Sequence, residues 1–170
     1  MVSSVRPSIT AAVLRDIGLF GGLSDDSLGR LASELPEVRT EPGQIVVSEG
    51  DLSTEMFVVI GGELEVVKKA LDGSTVRVAL LGPGDWFGEM AILDVQPRSA
   101  SVRALAPSLL LSMSADQLDR LLYRVAPKDY SLLVMNIARE LSRRLRVADG
   151  ILAQFFVGMH EQYGKGSGAR

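Results

Sequence analysis

Residues 87–104, FGEMAILDVQPRSASVRA, gather groups that could hold a small charged ligand. Gly88 permits a sharp turn and lets a ligand approach the main chain closely. Met90 to Leu93 suits a single helical turn, whose unpaired N–H groups would point at whatever lies beyond Gly88. Arg98 can return a planar, permanently charged fork to the same spot, and Ser99 adds a hydroxyl and an N–H. Together these make an anion site. Glu89 would repel an anion unless it serves a different atom. A carboxylate accepting from a sugar hydroxyl, beside an arginine on a phosphate, resolves that conflict. Taken alone, Phe-Gly-Glu also fits a strand end, and Arg98 a surface residue or an ion-pair partner of Glu89. Isolated Glu–Arg pairs are more often structural than functional. The whole composite points to a pocket.

The stretch closely resembles the phosphate-binding cassette of cyclic-nucleotide-binding domains, as in catabolite activator protein and the regulatory subunits of cyclic-nucleotide-dependent kinases. The shared pattern is Phe-Gly-Glu, an aliphatic-Ala-aliphatic segment, then Pro-Arg, a small residue, Ala, Ser or Thr, Val and Ala. The separation of Glu89 from Arg98 is similar to that in the kinase subunits. The likeness runs from about Ile9 to Gly150.

The resemblance implies an antiparallel β-roll, or jelly-roll, of about eight strands with N-terminal helices and a long C-terminal helix. It implies Arg98 on the equatorial phosphate oxygen and Glu89 on the ribose 2′-OH. Beyond the Gly88 turn, the backbone N–H groups of Met90 or Ala91, and of Ser99 or Ala100, would complete the phosphate shell. Val66 and Val78 match positions that pack against the base. In the kinase branch, alanine after the arginine goes with cAMP and threonine with cGMP, while bacterial cAMP receptors also carry serine there. Ser99 therefore favours cAMP over cGMP. Ala148 and Asp149 stand where bacterial receptors place hydroxyl residues that reach the adenine amino group. Alanine departs from that pattern; Asp149 could accept from the amino group or simply be exposed before Gly150.

The flanking pattern supplies the elements that would position these groups. The first thirty-five residues read as helical, with Ile9, Val13, Leu14 and Ile17 on one face and a break at Gly21-Gly22. Ser24 reads as an N-cap followed by Asp25 and Asp26, and Leu28, Leu31 and Leu35 form a buried stripe. From Val38 to Met113, short β-rich runs alternate with turn residues, the pattern of an all-β sandwich or barrel. Turns are expected at Glu41-Pro42-Gly43, Gly61-Gly62, Asp72-Gly73 and Gly82-Pro83-Gly84-Asp85. Val76, Val78 and Leu80 are predicted to share one face of a strand. Ser114 is expected to cap a helix to about Tyr123, and Pro127 to start another. There Val134, Ile137, Leu141, Leu145, Ala148, Leu152, Phe155 and Met159 step by three or four, close to a heptad seam, with Gly150 interrupting it. That seam predicts a homodimer through the C-terminal helix.

The expected divisions are a helical segment 1–36, a β-roll 37–113 carrying the cassette 87–104, C-terminal helices 114–162, and a flexible tail 163–170. Apolar residues make up 46% of the chain and charged residues 23%, a globular balance. No apolar run is long enough to cross a bilayer, and the N-terminus lacks a secretory core, so a cytoplasmic protein is the default. Cysteines are absent and His160 is the only histidine. That leaves no thiolate, iron–sulfur or histidine-cluster metal site, and no nucleophile–base pair presents itself. An enzyme is not expected. The net charge of −3 argues against nucleic-acid binding, and Arg139, Arg143, Arg144 and Arg146 sit beside Glu140 on what reads as a solvated helix face. Only residues from Gly150 onward follow the expected base contacts, too few for a helix-turn-helix. The reading is a cyclic-nucleotide sensor that signals to another protein. Its alternatives are the sensor part of a Crp/Fnr-like transcription regulator without its DNA-binding domain, or a scaffold that has lost the ligand.

Overall fold

Runs of β-branched and aliphatic residues between Pro-Gly and Gly-Gly turns fold the middle of the chain into eight strands. The computed structural model describes residues 9–94 and 96–164, with side chains to Val157. The strands are β1 (Glu37–Thr40), β2 (Ile45–Val47), β3 (Glu55–Gly61), β4 (Leu64–Lys69), β5 (Thr75–Leu81), β6 (Trp86–Phe87), β7 (Ser101–Ala104) and β8 (Ser108–Ser114). They form two four-stranded sheets, ordered β1-β8-β3-β6 and β2-β7-β4-β5, with antiparallel pairing throughout. Phe57, Val59, Phe87 and Leu110 from the first sheet meet Leu64, Leu81 and Val102 from the second in one core. Each such side chain contributes about 1.5–3 kcal/mol by leaving water.

The turns fall where the sequence places them. Residues 41–44 close through Gln44 N–H to the Glu41 carbonyl, and 82–85 through Asp85 N–H to the Gly82 carbonyl, both at 3.0 Å. Between β3 and β4, Gly62 adopts φ +97°, and a Cβ there would lie 2.6 Å from Ser108 Cα, so only glycine fits the hairpin.

β5 departs from its expected geometry. Its register against β4 shifts between Val66 and Val67, pairing Val66 with Ala79 but Val67 with Arg77, so Val78 is an extra residue. Leu80 stands opposite Glu65 and Val76 opposite Lys68, positions of opposite parity on β4. The predicted single face for Val76, Val78 and Leu80 is therefore broken by a β-bulge, and all three are exposed.

At the N-terminal end, α1 (Ala11–Arg15) and a 3₁₀ turn (Gly18–Phe20) precede α2 (Asp25–Glu34). Ile9, Leu14 and Ile17 are buried, but Val13 is 41% exposed. The helix is only five residues long, and two of the buried side chains lie outside it. Leu28, Leu31 and Leu35 are buried as expected. Ser24 caps α2 by accepting from Ser27 N–H at 3.3 Å, and its own hydroxyl donates to Asp129 Oδ2 at 2.5 Å. Asp129 also accepts from Ser24 N–H at 3.2 Å. Burial pushes the Asp129 carboxyl up, but hydrogen bonds from Ser24 and Ser27 and the charge of Arg30 outweigh it, leaving the group below its ordinary value.

After β8, a capping box between Ser114 and Gln117 opens α4 (Ala115–Leu118). A π-helical turn (Asp119–Tyr123) completes the segment expected as one helix. α5 starts at Pro127, as predicted, and runs through Gly150 to Gly164. Residues 165–170, within the expected flexible tail, lie outside the described residues, as do residues 1–8 and Val95. The chain divides into two compact units between Leu133 and Val134.

In the second unit, Glu140 accepts from Arg143 at 2.8 and 2.6 Å and from Arg144 at 2.9 Å. The Arg143 hydrogen bond, opposed by partial burial and reinforced by Arg144, holds the Glu140 carboxyl down at about 2. Arg146 donates to Ser142 at 2.9 Å on the same helix. Along the predicted seam, Leu145, Leu152 and Phe155 are exposed, as are Val147, Ile151, Phe156 and Val157. Met159 lies beyond the described side chains. No helix among the described residues is long and apolar enough to cross a membrane.

Candidate functional site

β6 is only two residues long, and its register fixes the site. Phe87 pairs with Phe57 on β3, their rings stacked 5.2 Å apart, so Gly88 leaves the sheet beside Glu55 and Met56. Gly88 adopts φ +79°. A Cβ there would sit 2.9 Å from the Glu55 carbonyl oxygen and closer still to Arg98 Nη1. Glycine is thus required twice, for its dihedral and for the room it leaves to the guanidinium. α3 (Met90–Leu93) follows as the predicted helical turn.

Arg98 is 7% exposed and held at both its main chain and its side chain. Its N–H donates to the Asp51 carbonyl at 2.9 Å, and its carbonyl accepts from Gly50 N–H at 2.8 Å. Nη2 donates to Ser53 Oγ at 2.8 Å and to the Glu55 carbonyl. Nε is buried with no hydrogen-bond partner among the described residues. Burial pushes the guanidinium below its ordinary value, opposed by the carboxylates of Glu55, Glu89 and Asp51. A guanidinium stays charged regardless. A cavity of about 340 Å³ opens beside it, with Val46, Val47, Leu52 and Phe57 as apolar walls. Asp51, Ser53, Glu55 and Arg98 are its polar ones.

The structure brings Gly88, Glu89 and Arg98 together. Glu89 is 6% exposed at the start of α3, close enough for its charge to act on Arg98. Of the paired amide candidates, Ala91 N–H already bonds the Gly88 carbonyl at 3.1 Å. Ala91 itself is buried and Met90 exposed. Ser99 is exposed and Ala100 half-buried. Val66 is half-buried against the core, whereas Val78 stands 56% exposed on the bulge. Ala148 and Asp149, on the second unit, are both exposed.

The sequence reading missed the loop from Gly50 to Glu55, which supplies four polar contacts to Arg98. The only local hint was its turn composition, since the partners lie more than forty residues from Arg98 (|i−j| 43 and 45).

A second buried charge offers a contrast. Glu65 on β4 is 5% exposed and accepts from Arg103 Nε at 2.8 Å and from Arg103 Nη2, with Arg77 Nη1 at 3.7 Å.

The antiparallel roll thus places a buried, incompletely bonded arginine beside a glycine turn and a cavity. The cyclic nucleotide-binding domain family matches residues 37–124, and the chain belongs to that family. It is 29% identical over 141 residues to a CRP-like cAMP-activated global transcriptional regulator of Mycobacterium tuberculosis, covering 83% of this chain and 61% of that protein. It is 34% identical over 131 residues to the cyclic AMP receptor protein of Thermus thermophilus, covering 77% and 58%. Among solved structures, a cyclic nucleotide-binding domain from Methylobacillus flagellatus matches with a TM-score of 0.74 at 28% identity, covering 85% of this chain and 82% of that one. The chain spans less than two thirds of the length of the two bacterial regulators.

Proposed function

We propose that the site binds a cyclic nucleotide, cAMP in preference to cGMP, and acts as a regulatory sensor rather than an enzyme. The observation that carries this reading is Arg98, a buried cation with an unpartnered Nε beside a cavity. Arg98 takes the phosphate and Glu89 the ribose 2′-OH, so each charge serves a different part of one ligand. Beyond Gly88, the N–H groups of Met90, Ser99 and Ala100 complete the phosphate shell; Ala91's is committed to Gly88. Val66 and Val78 face the base. The similarity to proteins named for cAMP supports the choice of base. Melting temperature with cAMP, with cGMP and with neither tests this directly. Stabilisation by several degrees is expected with cAMP and less with cGMP; no shift with either overturns the reading.

Ligand binding repositions the C-terminal helix and signals to a partner protein in the cytoplasm. The ligand shifts that equilibrium only by its differential affinity for the two positions. Hydrogen exchange across residues 127–157 is expected to slow at saturating cAMP; exchange that ignores the nucleotide rules the coupling out. The exposed apolar side chains from Leu145 to Phe156 support a homodimer through α5. Ultracentrifugation finding only monomer at high concentration refutes that part. The alternative, a sensor part of a Crp/Fnr-like transcription regulator, is favoured by the chain spanning 61% and 58% of such relatives. The coding sequence on either side decides it.

A further inference from the structure

We propose that Ser53 is a positioning residue for the ligand, acting through Arg98; this rests on the reading of Arg98 as the phosphate-binding cation. A guanidinium carries five N–H donors in one rigid plane, so fixing one nitrogen fixes the direction of the others. Nη2 spends its two N–H groups on Ser53 Oγ, at 2.8 Å, and on the Glu55 carbonyl. With that nitrogen tied to the loop, the plane cannot spin about its Cδ–Nε bond. Nε, buried and unpartnered, is then held at one orientation. Nη1 lies where a Cβ on residue 88 would be, so the plane is bounded on that side by the Gly88 turn. Ser53 Oγ is itself placed by Glu55 N–H, which donates to it at 3.4 Å, and the serine lines the cavity with Arg98. The other ties between the loop and Arg98 are made through carbonyls and main-chain N–H groups. Ser53 is therefore the one side-chain tether of the two on Nη2, and its loss leaves the fork to pivot on the Glu55 carbonyl alone while the backbone bonds stay in place.

The test compares wild type, Ser53→Ala and Ser53→Thr by titration calorimetry with cAMP, alongside the melting temperature of each free protein. Ser53→Ala is expected to weaken binding about tenfold, the scale of one lost hydrogen bond to a buried charge. Ser53→Thr, which keeps the hydroxyl, should stay within about twofold of wild type. A second readout needs no ligand. The Arg98 Nε–H proton, followed by NMR, should exchange with solvent several-fold faster in Ser53→Ala than in wild type, and at the wild-type rate in Ser53→Thr. Wild type that binds cAMP while Ser53→Ala binds it equally well overturns the positioning role alone. Wild type that binds neither cAMP nor cGMP overturns the ligand reading, and the role in binding with it. If Ser53→Ala and Ser53→Thr weaken binding alike, packing rather than the hydroxyl is responsible and the proposal fails.

Discussion

Arg98 and Glu65 are buried to nearly the same degree in the same roll, 7% and 5% exposed, yet they are satisfied in opposite ways. Glu65 receives two N–H groups from Arg103 and the charge of Arg77, all from neighbouring strands of its own sheet. Its valence is closed inside the protein. Arg98 has three carboxylates near enough to act on it, but its two side-chain hydrogen bonds go to a serine hydroxyl and a carbonyl. Its Nε has nothing. Leaving a buried donor unmade costs about 1–3 kcal/mol, so a structural role alone would not favour it. Glu65 is closed by its neighbours; Arg98, left open beside a cavity, is where the proposed ligand would bind.

Breaking each charge in turn should separate the two roles. Arg98→Leu is expected to have the largest effect, weakening cAMP at least about thirtyfold in calorimetry because the phosphate loses its counter-charge. The melting temperature of the free protein should shift by less than the binding loss implies, because the cost of burying the guanidinium is removed together with its two hydrogen bonds. Glu65→Gln should do the reverse. Urea unfolding is expected to show a loss of about 1–3 kcal/mol as Arg103 and Arg77 lose their shared anion, with cAMP affinity within about twofold of wild type. An affinity loss in Glu65→Gln as large as that in Arg98→Leu would erase the distinction.

The smallest effect belongs to Glu140, whose pairs lie on the helix surface. Its carboxyl is held below its ordinary 4.5, at about 2, so its contribution is fully present above 4.5 and is lost as pH falls toward 2. Circular dichroism should therefore show wild type more helical than Glu140→Gln above pH 4.5. The gap, worth a few tenths of a kcal/mol per pair, should close toward pH 2.

That Gly88, Glu89 and Arg98 come together was legible because they fall in one short segment in which a glycine turn, a helical turn and the return to a strand can be read locally. The strand and turn pattern was legible for a similar reason: Pro-Gly and Gly-Gly pairs punctuate it locally. What holds Arg98 was not. Ser53 and Glu55 reach it only once β3 has been laid beside β6, and no spacing rule links positions that far apart. The bulge at Val78 escaped because Thr75 to Leu80 alternates cleanly as a sequence; the register shift arises in its pairing with β4. Val13 was misplaced because one helical face was drawn from Ile9 to Ile17, whereas the helix spans only Ala11–Arg15 and its buried face is set by Leu14.

The hydrogen bonds between Ser24 and Asp129 have a practical consequence for anyone who wants to cut this chain. They join positions 105 residues apart, so the cap of α2 and the root of α5 are one mechanical piece. A fragment beginning at β1 would strip away a hydroxyl and an amide together and strand a carboxylate that is 6% exposed. A minimal version of the domain therefore has to carry its N-terminal helices, although none of their residues lines the cavity.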